Sequence, residues 1–141
     1  MRSLITGTGS YVPEKILTNA DLEKMVETND QWIVERTGIK ERHIAAPEQA
    51  SSDLAVEASK KALEMAGLKA EDLDLIVVGT ISPDYQFPSC AAVVQGKLGN
   101  KKAFVFDVSA ACAGSLYALS VADRFVATGA VRNALVIGGE T

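Results

Sequence analysis

Cysteine, histidine, tryptophan and long apolar runs are all scarce in this 141-residue chain, and each shortage closes off a class of function. There are two cysteines, Cys90 and Cys112, one histidine, His43, and one tryptophan, Trp32. Two cysteines without a Cys-x-x-Cys spacing make neither a disulfide framework nor a dithiol redox centre. Free thiols in that number suit a reducing compartment. One histidine and no cysteine cluster leave no zinc pattern. Glu71, Asp72 and Asp74 sit scattered at a turn without ligand spacing, so no metal site is expected. No apolar stretch is long enough to span a bilayer, and the start Met1-Arg-Ser-Leu-Ile-Thr-Gly7 runs into a strand-like segment without a secretory signal. The default location is the cytoplasm, with no membrane partner. The 14 basic and 18 acidic residues give a net charge of −4, which argues against nucleic acid as a partner.

What remains is an ordinary globular composition, 48% hydrophobic, in a chain long enough for one domain with a real core. Leu4 to Thr8 reads as a first strand, broken by Gly7 and Gly9, and Tyr11 to Leu17 as a second extended piece. Thr18-Asn-Ala-Asp21 has the pattern of a helix start, and Thr28-Asn-Asp-Gln31 repeats it for a helix from Asn29 to Thr37, stopped by Gly38. Ile39 to Ile44 is extended. Ser51 opens a longer helix that ends at Gly67. From there the order is strand (Leu73 to Thr80), helix (Pro88 to Leu98), strand (Ala103 to Val108), helix (from Cys112 to about Thr128) and strand (Ala134 to Gly138). Alternation of this kind predicts a largely parallel sheet with crossover helices.

Cys112 is the candidate for chemistry. It lies in Asp107-Val-Ser-Ala-Ala-Cys112-Ala-Gly114-Ser115, a run of small residues between an apolar strand and a helical pattern. Ligands on parallel sheets gather at the carboxyl ends of strands, and Cys112 lies just beyond one. The unpaired N–H groups and the dipole of a helix N-terminus favour negative charge, so they favour a thiolate and would stabilise an oxyanion on an attacked carbonyl. The plainer alternative is a small buried cysteine in a tight crossover. Cys90, beside Ala91, Ala92 and Val93, fits that alternative better.

Two further features carry weight. Trp32 and Arg36 lie one turn apart on a helix face, an arrangement that suits an adenine ring and phosphates as readily as a core Trp with a surface Arg. The Cys112 helix carries only Asp123 and Arg124 as charges between Ala113 and Thr128. Such a helix is buried on more than one face. One sheet covers one face, and the chain has no spare element for the other. His43 is not placed by the sequence to serve Cys112 as a base, and Gly7-Thr-Gly9 is too short for a dinucleotide fingerprint. The chain is therefore expected to be the first part of a larger protein.

Several segments together resemble β-ketoacyl-acyl-carrier-protein synthase III. They are Gly7-Thr-Gly-Ser-Tyr-Val-Pro13, Thr18-Asn-Ala-Asp-Leu-Glu-Lys-Met25, Asp30-Gln-Trp-Ile-Val-Glu-Arg-Thr-Gly-Ile39 with Arg42-His-Ile-Ala, and Asp107-Val-Ser-Ala-Ala-Cys-Ala-Gly114. The resemblance runs the length of the chain. It implies an α/β fold in which residues 1–141 form the N-terminal half of a thiolase-like domain, with a mixed, mostly parallel sheet and a buried nucleophile-bearing helix. It implies that Cys112 takes an acyl group, usually acetyl, from coenzyme A and condenses it with malonyl-acyl-carrier protein, losing carbon dioxide. Coenzyme A is then a substrate, and no cofactor is implied. Trp32 and Arg36, with Thr28 nearby, match positions that hold the coenzyme A nucleotide. Phe87 matches a residue that reaches across a homodimer interface to shape the partner's acyl pocket.

The resemblance also implies that the catalytic His and Asn belong to a second half outside this chain, and His43 does not match that His. The chain by itself is expected to be inactive. Ser115 stands where relatives often carry Phe, which leaves the primer length open. Hydroxymethylglutaryl-coenzyme A synthases and chalcone-type synthases share a cysteine so placed, but the Trp32–Arg36 segment favours synthase III. The alternative of a different class is a non-catalytic half-module that pairs with a separate C-terminal half.

Overall fold

The computed structural model describes residues 2–141, which fall into two compact units, Val12–Gln49 and the remainder. In the smaller unit strand β1 (Lys15–Thr18) pairs antiparallel with β2 (Glu41–Ile44), Lys15 opposite Ile44 and Thr18 opposite Glu41. Between them lie helices α1 (Asn19–Leu22) and α2 (Asp30–Thr37). The Thr18 box forms as its sequence predicts: the Thr18 hydroxyl accepts from the Asp21 N–H, and the Asp21 carboxylate accepts from Thr18. The second box is shifted by one residue. Asn29, not Thr28, caps α2 by accepting from the Trp32 N–H at 2.8 Å. Gly38 ends the helix in the left-handed region at φ 72°, where a side chain is costly.

Asn19 is the polar centre of this unit. Its amide nitrogen donates to Asp30 Oδ1 at 2.7 Å and to the Ile39 carbonyl at 2.9 Å, and its oxygen accepts from the Arg42 guanidinium. One buried side chain thereby ties α1 to α2 and β2. A buried amide with its donors and acceptor used holds a single geometry, which suits a unit with few buried apolar side chains, Pro13 and Ile33 among the described residues.

In the larger unit β3 (Leu75–Gly79) is central, flanked in parallel by β4 (Phe104–Val108) and β5 (Ala134–Gly138). Leu75 is level with Phe104 and Ala134, and Gly79 with Val108 and Gly138. Every residue of β3 is buried, as a strand covered on both faces requires. Ile76 and Val78 join a core with α3 (Ser51–Ala66) and α4 (Cys90–Leu98), while Leu75 and Val77 join a second core with α5 (Gly114–Ala127). The layers are thus α3 and α4 on one face, the parallel sheet, and α5 on the other.

One expectation changes. Leu4 to Thr8 forms no ladder, and Leu4 and Ile5 are exposed. Its glycines serve a different contact: a Cβ on Gly7 would lie 2.3 Å from the Ala62 carbonyl oxygen, and one on Gly9 2.2 Å from that of Ala58. The bare backbone lies flat on α3 instead of pairing with a strand. Helix α5, which follows the Cys112 turn, behaves as its sequence predicts for a helix with one sheet to pack on: it is buried along one stripe, Gly114, Ala118 and Ala122. Leu116 and Tyr117 on its other side are 65% and 57% exposed. Among the described residues one sheet covers one face, and the second is left exposed.

Candidate active site

The carboxyl ends of the three parallel strands and the start of α5 meet through glycine. A Cβ on Gly79, the last residue of β3, would lie 2.5 Å from the carbonyl carbon of Gly114, and one on Gly138 would lie 2.6 Å from Ser115 Cβ. Thr80 N–H donates to the Val108 carbonyl, and Gly139 N–H to that of Gly79, which extends the pairing past the strand ends. These contacts fix the first turn of α5 against the sheet at backbone distance, which is why small residues crowd the segment.

Cys112 lies in the single 3-10 turn, Ala111–Ala113, that links β4 to α5. Ala111 has φ 45°, the only non-glycine residue with positive φ among those described. An L residue in that region costs energy, and the strain sits on the residue just before the thiol. Ala113 N–H donates to the Ala110 carbonyl, closing the turn. Cys112 is free and exposed. It is open to solvent next to the N-terminus of a 14-residue helix, where the dipole favours negative charge.

Cys90 is the opposite case. It is free but buried, at 1% exposure, at the start of α4. Burial pushes its thiol up to about 12, and the nearby Asp84 and Asp107 carboxylates add to the rise. Asp107 is committed to the same helix end: its oxygens accept from the N–H groups of Cys90 at 2.7 Å and Ala91 at 2.8 Å. The sequence distinction between the two cysteines therefore holds in their surroundings.

In the smaller unit α2 presents Trp32 and Arg36 together. The guanidinium carbon lies 5.0 Å from the Trp32 ring centroid, a cation–π distance, and Trp32 is 53% exposed. Trp32 also lines a shallow depression of about 240 Å³ with Glu27, Thr28 and Asn29. Within the described residues Trp32 is thus a half-exposed side chain and not part of a core. His43 Nδ1 lies 2.6 Å from the Pro13 carbonyl and Nε2 3.9 Å from Glu41, so its ring works within its own unit.

Phe87 stands 90% exposed on the loop from Thr80 to Ser89. The carboxylates that hold this loop were not singled out by the sequence. Glu140 accepts from Thr80 Oγ1, from the Ile81 and Ser82 N–H groups, and from Ser82 Oγ at 2.5 Å. Partial desolvation raises the Glu140 carboxyl, but the bonds from Ser82, Ile81 and Thr80 outweigh it and leave the group below the usual glutamate range. Asp84 accepts from the Ser52 N–H and hydroxyl. The available signal was modest: Glu140 follows a Gly-Gly pair directly after a strand.

A larger depression of about 300 Å³ lies at the other end of the sheet, lined by Asp72, Asp74, Lys102, Arg132 and Asn133. There Asp74 accepts from Lys102 Nζ and the N–H groups of Arg132 and Asn133, so its carboxylate is spent on stitching loops together. Among the described residues no group of three or more His, Cys, Asp or Glu side chains could hold a metal ion, and no helix is long and apolar enough to cross a membrane.

The family model for 3-oxoacyl-[acyl-carrier-protein] synthase III matches residues 106–141, the segment that carries Cys112. The β-ketoacyl-[acyl-carrier-protein] synthase III of Caldanaerobacter subterraneus subsp. tengcongensis is 64% identical over 137 residues, which is 97% of this chain and 41% of that protein. The crystal structure of 3-oxoacyl-[acyl-carrier-protein] synthase III from Aquifex aeolicus superimposes with a TM-score of 0.93 at 51% identity, over 96% of this chain and 44% of that one. The corresponding Thermus thermophilus structure gives 0.90 at 44% identity, over 96% and 42%. The chain thus spans about two fifths of the length of the relatives it matches.

Proposed function

Because the chain belongs in sequence and fold with the N-terminal part of β-ketoacyl-[acyl-carrier-protein] synthase III, we propose that it carries the nucleophile of a condensing enzyme that begins fatty-acid synthesis. The observation that carries this reading is the contrast between the thiols: Cys112 is exposed on a strained turn at the head of a helix, and Cys90 is sealed in the core.

In this reaction the Cys112 sulfur attacks the thioester carbonyl of an acyl-coenzyme A, with acetyl the expected primer. The negative charge that develops on the carbonyl oxygen is stabilised by N–H groups of the turn that leads into α5, that of Cys112 among them. The carbon–sulfur bond to coenzyme A breaks, and coenzyme A leaves as a thiol with the proton that Cys112 gave up. Malonyl-acyl-carrier protein then loses carbon dioxide. The electron pair of the broken carbon–carbon bond attacks the acyl-Cys112 carbonyl, and the Cys112 sulfur is expelled as thiolate. Residues 1–141 are the nucleophile-bearing part of the thiolase-like domain. The remaining acid–base groups come from the part of the whole synthase that the longer relatives possess.

Trp32 stacks the adenine of coenzyme A, Arg36 meets its phosphates, and Thr28 borders the same depression. This is supported by the exposed cation–π pair and the hollow beside it. Phe87 contributes to the acyl pocket of a second subunit in a homodimer, a role its near-complete exposure suits.

The test is mass spectrometry of the whole synthase and of this chain after incubation with acetyl-coenzyme A. The whole synthase should gain one acetyl group on Cys112, and Cys112→Ser should abolish both the adduct and condensation. Acetyl found on Cys90 and not on Cys112 would refute the assignment.

A further inference from the structure

The loop from Thr80 to Ser89 leaves the end of β3, the same strand end that packs against Gly114 at the head of α5. It therefore starts beside the Cys112 turn. Three carboxylates hold it. Glu140, two residues past β5, grips Thr80, Ile81 and Ser82 at its start. Asp84, in its middle, is bound by Ser52 of α3. Asp107 of β4 caps the helix into which it runs. Between the second and third anchors Tyr85 and Phe87 stand 61% and 90% exposed. The loop is pinned at its base and carries free aromatic side chains at its crest.

The Glu140 anchor differs from the other two. It binds side-chain and backbone donors of three successive residues, so it fixes direction as well as position. It is also reinforced from behind: Ser51 Oγ donates to the Ser82 carbonyl at 2.5 Å, and Thr141 N–H donates to Ser82 Oγ at 3.0 Å. Thr80 Oγ1, the Ser82 N–H and Ser82 Oγ all converge on Oε2, and the Ile81 N–H is shared between Oε2 and Oε1. An amide there loses the negative charge that three donors meet and sets its own NH2 against the Ile81 N–H.

We propose that Glu140 is a positioning residue that sets primer size: by holding Thr80, Ile81 and Ser82 it fixes the path of the loop bearing Tyr85 and Phe87, and with it the length of acyl chain accepted at Cys112 of the partner subunit in the homodimer. The inference rests on the acyl-transfer reading above. Glu140 touches no reacting atom, and its effect passes through the loop.

The experiment compares the wild-type whole synthase with Glu140→Gln and Ser82→Ala, measuring kcat/KM for acetyl- and hexanoyl-coenzyme A and single-turnover acylation of Cys112. Thermal unfolding checks that each variant is folded. Both variants should keep acylation of Cys112 and shift the acetyl-to-hexanoyl preference by about fivefold or more, a change within the range that small pocket alterations produce. If Glu140→Gln fails to fold, Ser82→Ala decides by the same ratio. A fall in rate that is equal for both primers, or no change, overturns the proposal while leaving acyl transfer intact. A wild-type enzyme that takes no acyl group on Cys112 sinks the acyl-transfer reading and this inference with it.

Discussion

Gly79 and Gly114 touch backbone to backbone: a Cβ on Gly79 would lie 2.5 Å from the Gly114 carbonyl carbon and 2.7 Å from its oxygen. The end of the central strand and the head of α5 are set against each other with no side chain between them. Gly79→Ala must push α5 away and carry the Cys112 turn with it. Overpacking of this kind costs about 1–3 kcal/mol. Urea denaturation of the chain should show that loss, and acylation of Cys112 in the whole synthase should slow. Gly96, in α4, has open space around its Cα, so Gly96→Ala should instead stabilise by roughly 0.5–1 kcal/mol. Equal effects from the two substitutions would mean that the contact with Gly114 yields freely.

Cys90 gives a pH dependence of defined sign. Its thiol is held up to about 12 by burial and the carboxylates of Asp84 and Asp107, against an ordinary value of 9.0. A group whose folded value is raised contributes stability in full below the unfolded value and loses it as pH rises through the folded one. The chain should therefore weaken progressively between pH 9 and 12, as the unfolded state releases a proton that the folded state keeps. Cys90→Ala should lower stability at neutral pH by leaving a small cavity, yet flatten this alkaline slope. A slope unchanged in the variant would place its origin in other groups, the lysines and tyrosines first.

How much of this was legible in sequence depended on whether the signal was local. Thr18 to Asp21 and Gly38 declare helix ends through side chains and backbone a few residues apart, and the structure places both where expected. Leu75 to Gly79 reads as a buried strand because a parallel strand needs apolar residues on both faces. The turn that holds Cys112 was legible because a strand, a run of small residues and a helix pattern meet there. Leu4 to Thr8 misled because its β-like residues say nothing of a ladder partner, and the glycines that seemed to break a strand are there for α3. Glu140 stayed hidden because its partners lie about 60 residues away and carry no motif.

Trp32 and Arg36 are expected to govern affinity and not chemistry. Their contact of 5.0 Å aligns a flat ring and a cation on an exposed helix face, which suits the nucleotide end of coenzyme A. Contacts remote from the breaking bond contribute alike to ground and transition states, so their loss raises KM with little change in kcat. Trp32→Ala and Arg36→Ala in the whole synthase should each raise KM for acetyl-coenzyme A by about tenfold, the effect of losing roughly 1.4 kcal/mol of binding. Because both side chains are exposed, unfolding midpoints should scarcely move. Unchanged KM with a clear loss of stability would assign the pair to packing within its own unit.

The outer face of α5 sets the behaviour of the chain alone. Leu116, Tyr117 and Leu119 are 65%, 57% and 42% exposed, on a helix whose opposite stripe of Gly114, Ala118 and Ala122 is packed on the sheet. Contiguous apolar surface of this kind drives association when nothing covers it. The isolated chain should bind a hydrophobic dye and self-associate as concentration rises, measured by fluorescence and light scattering. Leu116→Lys should reduce both while changing stability by no more than about 0.5 kcal/mol, as expected for a surface position. The chain should also fail to condense acetyl-coenzyme A with malonyl-acyl-carrier protein by itself, since neither Cys90 nor His43 supplies an acid–base partner for Cys112: one thiol is sealed in the core, and the other ring is engaged by Pro13 and lies near Glu41. A monodisperse chain that ignores the dye and completes the condensation would show that α5 needs no second cover and that the nucleophile finds its base within these 141 residues.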